Sequence, residues 1–95
     1  MKAFRFSELA LEDVRAIAEY TRQTWGAQQT ANYIDNIIEV CDRLAWFPGI
    51  GTSVKFRGID CRCFLSGEHR IVYRQVDEDM IEIARIIHTR SDDSD

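Results

Sequence analysis

The chain has 95 residues, of which 45% are apolar and 11% aromatic, the composition of a globular protein too short for two hydrophobic cores. Its net charge of −4 argues against a surface that grips nucleic acid through many phosphate contacts. The apolar stretches fall short of the roughly 20 residues of a membrane span, and the charged start leads into no signal-peptide core, so we expect a cytoplasmic protein.

We predict a single domain over residues 1–90, followed by a short acidic tail over residues 91–95 that we expect to be disordered. The chain has three cysteines, an odd number. Cys61 and Cys63 lie two residues apart on one predicted strand, a poor geometry for a bridge. We therefore expect reduced thiols that pack as small apolar groups.

The first third predicts a short strand and a helix. Lys2–Phe6 is a strand candidate, and the hydroxyl of Ser7 is suited to cap a helix that follows it. Apolar residues then recur at three- and four-residue steps from Leu11 to Trp25. Gly26 is expected to end this helix.

A second amphipathic helix is predicted from Ala27 to near Phe47, where Pro48 prevents its continuation. The two helices joined at one glycine form a helical hairpin. Pro48–Ser53 is a loop by its helix-breaking residues, and Val54–Ile59 has no clear period and supports no assignment.

The last third changes to the period-two alternation of strands. Runs over Cys61–Leu65, His69–Val76 and Met80–Ile87 are separated by the short turns Ser66–Glu68 and Asp77–Asp79, which predicts an antiparallel meander. The fold class is therefore α+β in the order β-α-α-β-β-β. The N-terminal strand and the helical hairpin should pack on a small, mainly antiparallel sheet.

Few residues suit catalysis or metal binding. His69 and His88 are the two histidines, and neither has the spacing of a metal ligand or a nucleophile elbow. The Cys61–Cys63 pair lacks the further ligands that zinc requires, and Gly49–Gly51 lacks the lysine of a phosphate loop. We predict no metal and no cofactor.

The arginines of the predicted strands leave two interpretations open. Arg70 and Arg74 should share a face with Val72. Arg85 should share a face with Ile81, Ile83 and Ile87. An arginine among isoleucines is either paired with a carboxylate at the rim of the core, which we favour, or projects into a concave site.

Metal-free cleavage of RNA would need cations for the phosphate, a base and an acid. The candidates for that alternative are Arg62, Tyr73, Arg85 and His88, with His69 as a further imidazole. The sequence does not show that they converge.

Other residues suit contact with a partner protein, because large aromatics and arginines are enriched at binding hot spots. The candidates are Tyr20, Trp25, Tyr33, Trp46, Arg70, Arg74 and Arg90.

Several motifs together resemble the ParE toxins of the RelE/ParE toxin–antitoxin superfamily. Ser7 followed by Leu11–Val14, Ile17, Tyr20-Thr21 and Trp25-Gly26 is similar to the opening helix of that family and its Trp-Gly hinge. The segment Arg43–Ala45 before Phe47–Gly51 resembles its Leu-Ala, Pro and Gly pattern, and Gly67–Arg74 and Ile83–His88 resemble its paired C-terminal strands.

The resemblance implies a toxin that inhibits DNA gyrase, blocks replication and arrests growth. It also implies neutralisation by a ParD-like antitoxin, a ribbon-helix-helix DNA-binding protein with a flexible C-terminal segment, in a hetero-oligomer that reaches DNA only through the antitoxin or gyrase. RelE relatives share the fold and instead cut mRNA on the ribosome. The chain has only two lysines, Lys2 and Lys55, and a net charge of −4, so it lacks the basic character of such a nuclease.

Two alternatives stay open beside gyrase inhibition. One is a RelE-like ribosome-dependent mRNA endonuclease, and the other is an inactive family member that acts only as a binding module. The acidic tail departs from the ParE pattern. If the family's C-terminal region engages gyrase, this departure affects the potency of the toxin.

Overall fold

The computed structural model describes residues 1–91, so residues 92–95 of the predicted tail lie outside the described residues. The elements are β1 (Ala3–Phe6), α1 (Glu8–Trp25), α2 (Ala27–Trp46), a single 3-10 turn (Pro48–Ile50), β2 (Thr52–Phe56), β3 (Ile59–Ser66), β4 (His69–Gln75) and β5 (Met80–His88). The predicted α+β class and the order of its elements are confirmed. β2 is an additional strand. The loop prediction is wrong for Thr52 and Ser53, which pair with β3, and the rest of β2 falls where the sequence supports no assignment.

The start of α1 is fixed by Ser7, as its sequence predicts. The Ser7 hydroxyl accepts a hydrogen bond from the Ala10 N–H at 3.0 Å and donates one to the Ala84 carbonyl at 2.9 Å. The first contact caps the helix, and the second holds that end of the helix against β5. At the other end Gly26 adopts a φ of 87°, which favours glycine, and turns the chain directly into α2.

The five strands form one sheet in the order β1-β5-β4-β3-β2. β1 runs parallel to β5, and the remaining neighbours are antiparallel. β2 pairs with β3 through a tight turn at Arg57 and Gly58, whose φ values of 52° and 77° are both left-handed. The predicted meander is therefore extended by one edge strand.

Both helices pack on the same face of the sheet and enclose the main core. Its largest fully buried side chains are Ile37, Cys41 and Leu44 from α2, and Ile71, Tyr73, Ile81 and Ile83 from the sheet. A smaller cluster of Cys61, Val72 and Ile87 packs with Val54, Phe56 and Ala84. The strand alternation places this second cluster on the opposite face.

A β-bulge in β5 changes the side-chain pattern of that strand. Tyr73 lies opposite Ile83 and Val72 lies opposite Arg85, so Ala84 is an extra residue. As a result Ile83 lies in the main core and Ile87 lies in the smaller cluster. The Arg85 guanidinium binds Asp13 of α1 and therefore lies on the helix-covered face with Ile81 and Ile83. The prediction that Ile87 shares this face is wrong, because the bulge interrupts the period-two alternation.

No helix within residues 1–91 combines the length and the apolar character needed to cross a lipid bilayer.

Candidate functional site

An open pocket of about 420 Å³ lies between the helical hairpin and the end of the sheet where β4 begins and β5 ends. One wall comes from α1, and α2 contributes Tyr33. The polar end is formed by the turn before β4 and by the chain at and beyond the end of β5. The lining residues are Ala16, Ile17, Tyr20, Thr21, Trp25, Tyr33, Glu68, His69, His88 and Arg90.

Four of the predicted partner-contact residues converge on this pocket: Tyr20, Trp25, Tyr33 and Arg90. Tyr20 and Trp25 are each 67% exposed, although both belong to a helix whose inner face packs on the core. Large aromatic side chains left in water at the rim of a pocket are the side chains that a partner most readily buries. The convergence was not visible in the sequence, because it joins residues up to 70 positions apart.

The floor of the pocket is a hydrogen-bonded pair of Tyr33 and His69. The Tyr33 hydroxyl lies 2.6 Å from His69 Nδ1 and accepts a hydrogen bond from the Glu68 N–H at 3.0 Å. Gly67 has a φ of 58°, and a Cβ there would lie 2.8 Å from the Tyr33 hydroxyl. The turn before β4 therefore requires glycine to bring Glu68 and His69 onto Tyr33.

The two histidines meet at the polar end of the pocket. His69 and His88 are direct partners in the β4–β5 register, and their rings make an edge-to-face contact with centroids 5.1 Å apart. The Arg90 N–H donates to His88 Nδ1 at 3.0 Å, and His88 Nε2 lies 3.6 Å from a Glu68 carboxylate oxygen. Both ring nitrogens of His88 are therefore engaged, Nδ1 by the backbone of Arg90 and Nε2 by Glu68.

Burial favours the uncharged forms of His69 and Tyr33. Burial lowers the pKa of His69 and the neighbouring His88 lowers it further, while the carboxylates of Glu68 and Asp13 act in the opposite direction. Burial raises the pKa of Tyr33, although the Glu68 N–H bond lowers it. At neutral pH the floor is therefore an uncharged phenol–imidazole pair.

Two of the predicted nuclease residues hold the turn between α2 and β2. The Tyr73 hydroxyl donates to the Pro48 carbonyl at 2.7 Å and accepts from the Gly51 N–H at 3.0 Å. Arg62 Nη1 donates to the Gly51 carbonyl at 2.8 Å. The Tyr73 side chain is 1% exposed, and its burial raises the pKa of the hydroxyl. The Tyr73 hydroxyl is thus a structural bridge rather than a group open to a substrate.

Arg85 is engaged by a carboxylate, as its position in an apolar strand predicted. Its Nε and Nη2 bind the two oxygens of Asp13 at 2.8 and 3.0 Å. One Asp13 oxygen also accepts the Ile86 N–H at 2.8 Å. Asp13 therefore neutralises a cation and satisfies a backbone donor of β5 beyond the end of β1.

The four nuclease candidates are consequently not brought together. Arg62 and Tyr73 lie at the Pro48–Gly51 turn, Arg85 lies against α1, and His88 is the one member that lines the pocket. Tyr73 lies four positions along β4 from His69, the partner of His88, which is about 13 Å along a strand.

The remaining partner candidates lie outside the pocket lining. Arg74 binds Glu82 at 3.2 Å, and Arg70 Nη2 lies 3.4 Å from the Ser91 carbonyl. Trp46 is 52% exposed at the end of α2. Glu68 lines the pocket and was not singled out by the sequence. The short turn that precedes β4 was the only signal for it.

Among residues 1–91, no three histidine, cysteine, aspartate or glutamate side chains gather as they would around a metal ion.

Known proteins share this architecture. A chain of the chromosomal ParDE TA system from P. aeruginosa superposes with a TM-score of 0.76 at 21% identity, covering 93% of this chain and 96% of that one. A chain of the RelBE2 toxin-antitoxin complex from Mycobacterium tuberculosis superposes with a TM-score of 0.64 at 18% identity, covering 92% and 96%. The protein thus has the α+β fold found in ParDE and RelBE assemblies.

Sequence similarity identifies the family within this fold. The model of the ParE toxin of the type II toxin-antitoxin system parDE matches residues 4–93. Toxin ParE1 of Caulobacter vibrioides is 32% identical over 88 residues, spanning 93% of this chain and 90% of that protein. Toxin ParE1 of Mycobacterium tuberculosis is 28% identical over 89 residues, spanning 94% and 91%. The chain belongs to the ParE toxin family of type II toxin–antitoxin systems.

Proposed function

We propose that this protein arrests growth by binding and inhibiting DNA gyrase without catalysing a reaction, and that a cognate ParD-like antitoxin neutralises it in the cytoplasm. Family membership supports the toxin assignment. A partner antitoxin is supported by the similar structures, which are described as a ParDE system and a toxin-antitoxin complex. Gyrase is the target that the resemblance to ParE implies.

The observation that carries a binding mode of action is the convergence of Tyr20, Trp25, Tyr33 and Arg90 on one open pocket. A protein that acts by adhesion needs exposed aromatic and arginine side chains that a partner can bury. The residues best suited to cleave RNA are instead occupied, because Tyr73, Arg62 and Arg85 bind the protein's own backbone and Asp13.

Two sites are available to an antitoxin. An amphipathic helix can lie along the helical hairpin, where Tyr20 and Trp25 are exposed. An extended segment can add to β2, which has β3 as its single partner strand within residues 1–91. The antitoxin's ribbon-helix-helix part would carry the DNA contact, in keeping with the acidic charge of this chain.

A ribosome-dependent mRNA endonuclease is the second candidate, favoured by the meeting of Tyr33, His69 and His88 in one pocket. The net charge of −4 argues against this candidate, because binding RNA requires cations that contact its phosphates. An inactive binding module is the third candidate, which would bind a partner without arresting growth.

Induced expression separates the three candidates. Gyrase inhibition predicts filamentous cells, a DNA-damage response and continuing translation, and the purified toxin should inhibit supercoiling by purified gyrase. Immediate loss of intact message, abolished in a His88→Ala variant, would contradict the proposal and support the nuclease. Normal growth with soluble, folded protein would support the inactive module.

A further inference from the structure

We propose that the pocket between the hairpin and the β4–β5 end receives an aromatic or branched aliphatic side chain of the antitoxin, and that it does so only while His69 is uncharged. This inference rests on the proposed function, because it specifies how the antitoxin is held and how that contact responds to pH.

The walls of the pocket favour an apolar occupant. Ala16, Ile17, Tyr20 and Trp25 form one side, and the ring of Tyr33 closes the inner end. A volume of about 420 Å³ is in the range of pockets that hold a small ligand, so one large side chain fits. Burying the exposed faces of Tyr20 and Trp25 would contribute a favourable hydrophobic term to the free energy of binding.

The floor favours an uncharged occupant, because its polar groups already satisfy one another. The Tyr33 hydroxyl accepts from the Glu68 N–H and lies 2.6 Å from His69 Nδ1, and His88 Nδ1 accepts from the Arg90 N–H. A charged side chain entering here would lose its water and find few unused partners. An apolar side chain has no charge to desolvate and needs no hydrogen-bond partner there.

The rim of the pocket adds a charge preference. The Arg90 side chain lines the pocket and is exposed. It therefore suits an acidic residue next to the apolar anchor. A segment that combines an apolar anchor with a neighbouring carboxylate is the occupant whose chemistry matches both the interior and the rim.

Protonation of His69 would act on the bound state more than on the free toxin. In the free toxin the Tyr33 hydroxyl can turn its proton to the Ser66 carbonyl, 3.5 Å away, so a charged His69 is accommodated. An anchor seated above the ring removes the water that solvates this charge. The charged form therefore disfavours occupancy.

The groups around His69 set the direction of this effect. Tyr33 faces it from α2, Asp13 from α1, Glu68 from the preceding turn, and His88 from β5. The carboxylates of Asp13 and Glu68 favour protonation, while burial and His88 oppose it, and the net result is a lowered pKa. Covering the ring lowers that pKa further, so affinity is highest above the free-toxin pKa and declines as pH falls through it.

The experiment measures binding of the candidate antitoxin, the product of the reading frame adjacent to the gene of this chain, after both proteins are produced together, separated in denaturant and refolded. We expect affinity to fall by about tenfold between about pH 7.5 and pH 5. His69→Asn keeps an acceptor for Tyr33 and removes the titration, so its affinity should vary clearly less over the same range. An identical pH slope in wild type and His69→Asn would overturn the pH part of the inference.

Pocket occupancy is tested separately at neutral pH. Trp25→Ala should weaken antitoxin binding by about tenfold or more, as truncation of a hot-spot side chain does. Val76→Ala is the control, because Val76 is also exposed and lies just beyond the end of β4 that is opposite the pocket. Equal losses in the two variants, or a toxin dimer that Trp25→Ala disrupts, would refute the proposed occupant.

These outcomes are distinguishable from failure of the proposed function. Absence of any binding to that antitoxin by folded wild-type toxin would contradict the toxin–antitoxin assignment itself. Tight binding that is indifferent to both Trp25→Ala and pH would leave that assignment intact and refute the pocket. Imidazole proton resonances of His69 provide an independent check, because its pKa should be lower in the complex than in the free toxin.

Discussion

At the scale of single residues, Asp13 shows how one carboxylate joins two layers of the fold. It lies on α1 and binds both the Arg85 guanidinium and the Ile86 N–H, with distances from 2.8 to 3.0 Å. The side chains of Asp13 and Arg85 are only 15% and 16% exposed. A pair of this kind differs from a surface ion pair, because loss of one partner leaves the other charge buried without compensation.

Replacement of Asp13 should therefore destabilise the protein. Asp13→Asn removes the charge opposite Arg85 and one of the bidentate bonds, and we expect a loss of about 2 kcal/mol in the free energy of unfolding. Urea denaturation followed by circular dichroism measures this loss. Glu12→Gln is the control, since Glu12 precedes it on the same helix and is exposed. Equal losses in the two variants would show that the negative charge of α1, and not the contact between Asp13 and Arg85, determines the stability.

At the scale of elements, the turn from α2 into β2 depends on close packing around Gly51. A Cβ at Gly51 would lie 2.5 Å from the Tyr73 hydroxyl and 2.9 Å from the Cys63 carbonyl, whereas a Cβ at Gly49 would meet nothing within 4 Å. The φ of Gly51 is −76°, which any residue adopts. Steric exclusion, and not backbone freedom, is thus the reason for glycine at this position.

The paired substitutions Gly51→Ala and Gly49→Ala test this explanation. Gly51→Ala should lower the free energy of unfolding by about 1–3 kcal/mol, because the added methyl group pushes Tyr73 off Pro48 or displaces the backbone of β3. Gly49→Ala should have little effect. Thermal unfolding measures both, and a Gly51→Ala protein as stable as wild type would mean that the turn is looser than the structure shows.

Most elements follow from sequence patterns, and the exceptions have physical causes. Ser7, Gly26 and Pro48 mark the helix ends correctly, because capping, left-handed φ and a missing N–H are local properties. β2 gives no clear signal because it is an edge strand whose residues are exposed or half-buried, so its apolar alternation is weak. The bulge at Ala84 also leaves no trace in the sequence, and it caused the error that placed Ile87 on the same face as Arg85.

The pocket itself depends on the whole molecule and was predictable only in part. Tyr20, Trp25, Tyr33 and Arg90 were predicted by residue type as partner contacts, and the structure places all four around one cavity. Contact between Tyr33 and His69 depends on how the hairpin lies across the sheet, which no short sequence window encodes. Partner contact by these residues, and by Trp46, Arg70 and Arg74, stays a prediction.

Domain limits are also a property of the whole chain, and a truncation tests them. Every described element ends by His88, and Ile86 and Ile87 anchor the last strand at 3% and 6% exposure. A chain ended after Ser91 should unfold at the same temperature as the full protein, because the four residues removed are polar and acidic. A chain ended after Arg85 is the control, and it should not fold, since both isoleucines leave the sheet with a cost of several kcal/mol. If the first truncation lowers the midpoint measurably, residues 92–95 contribute to the domain and the predicted boundary at residue 90 is wrong.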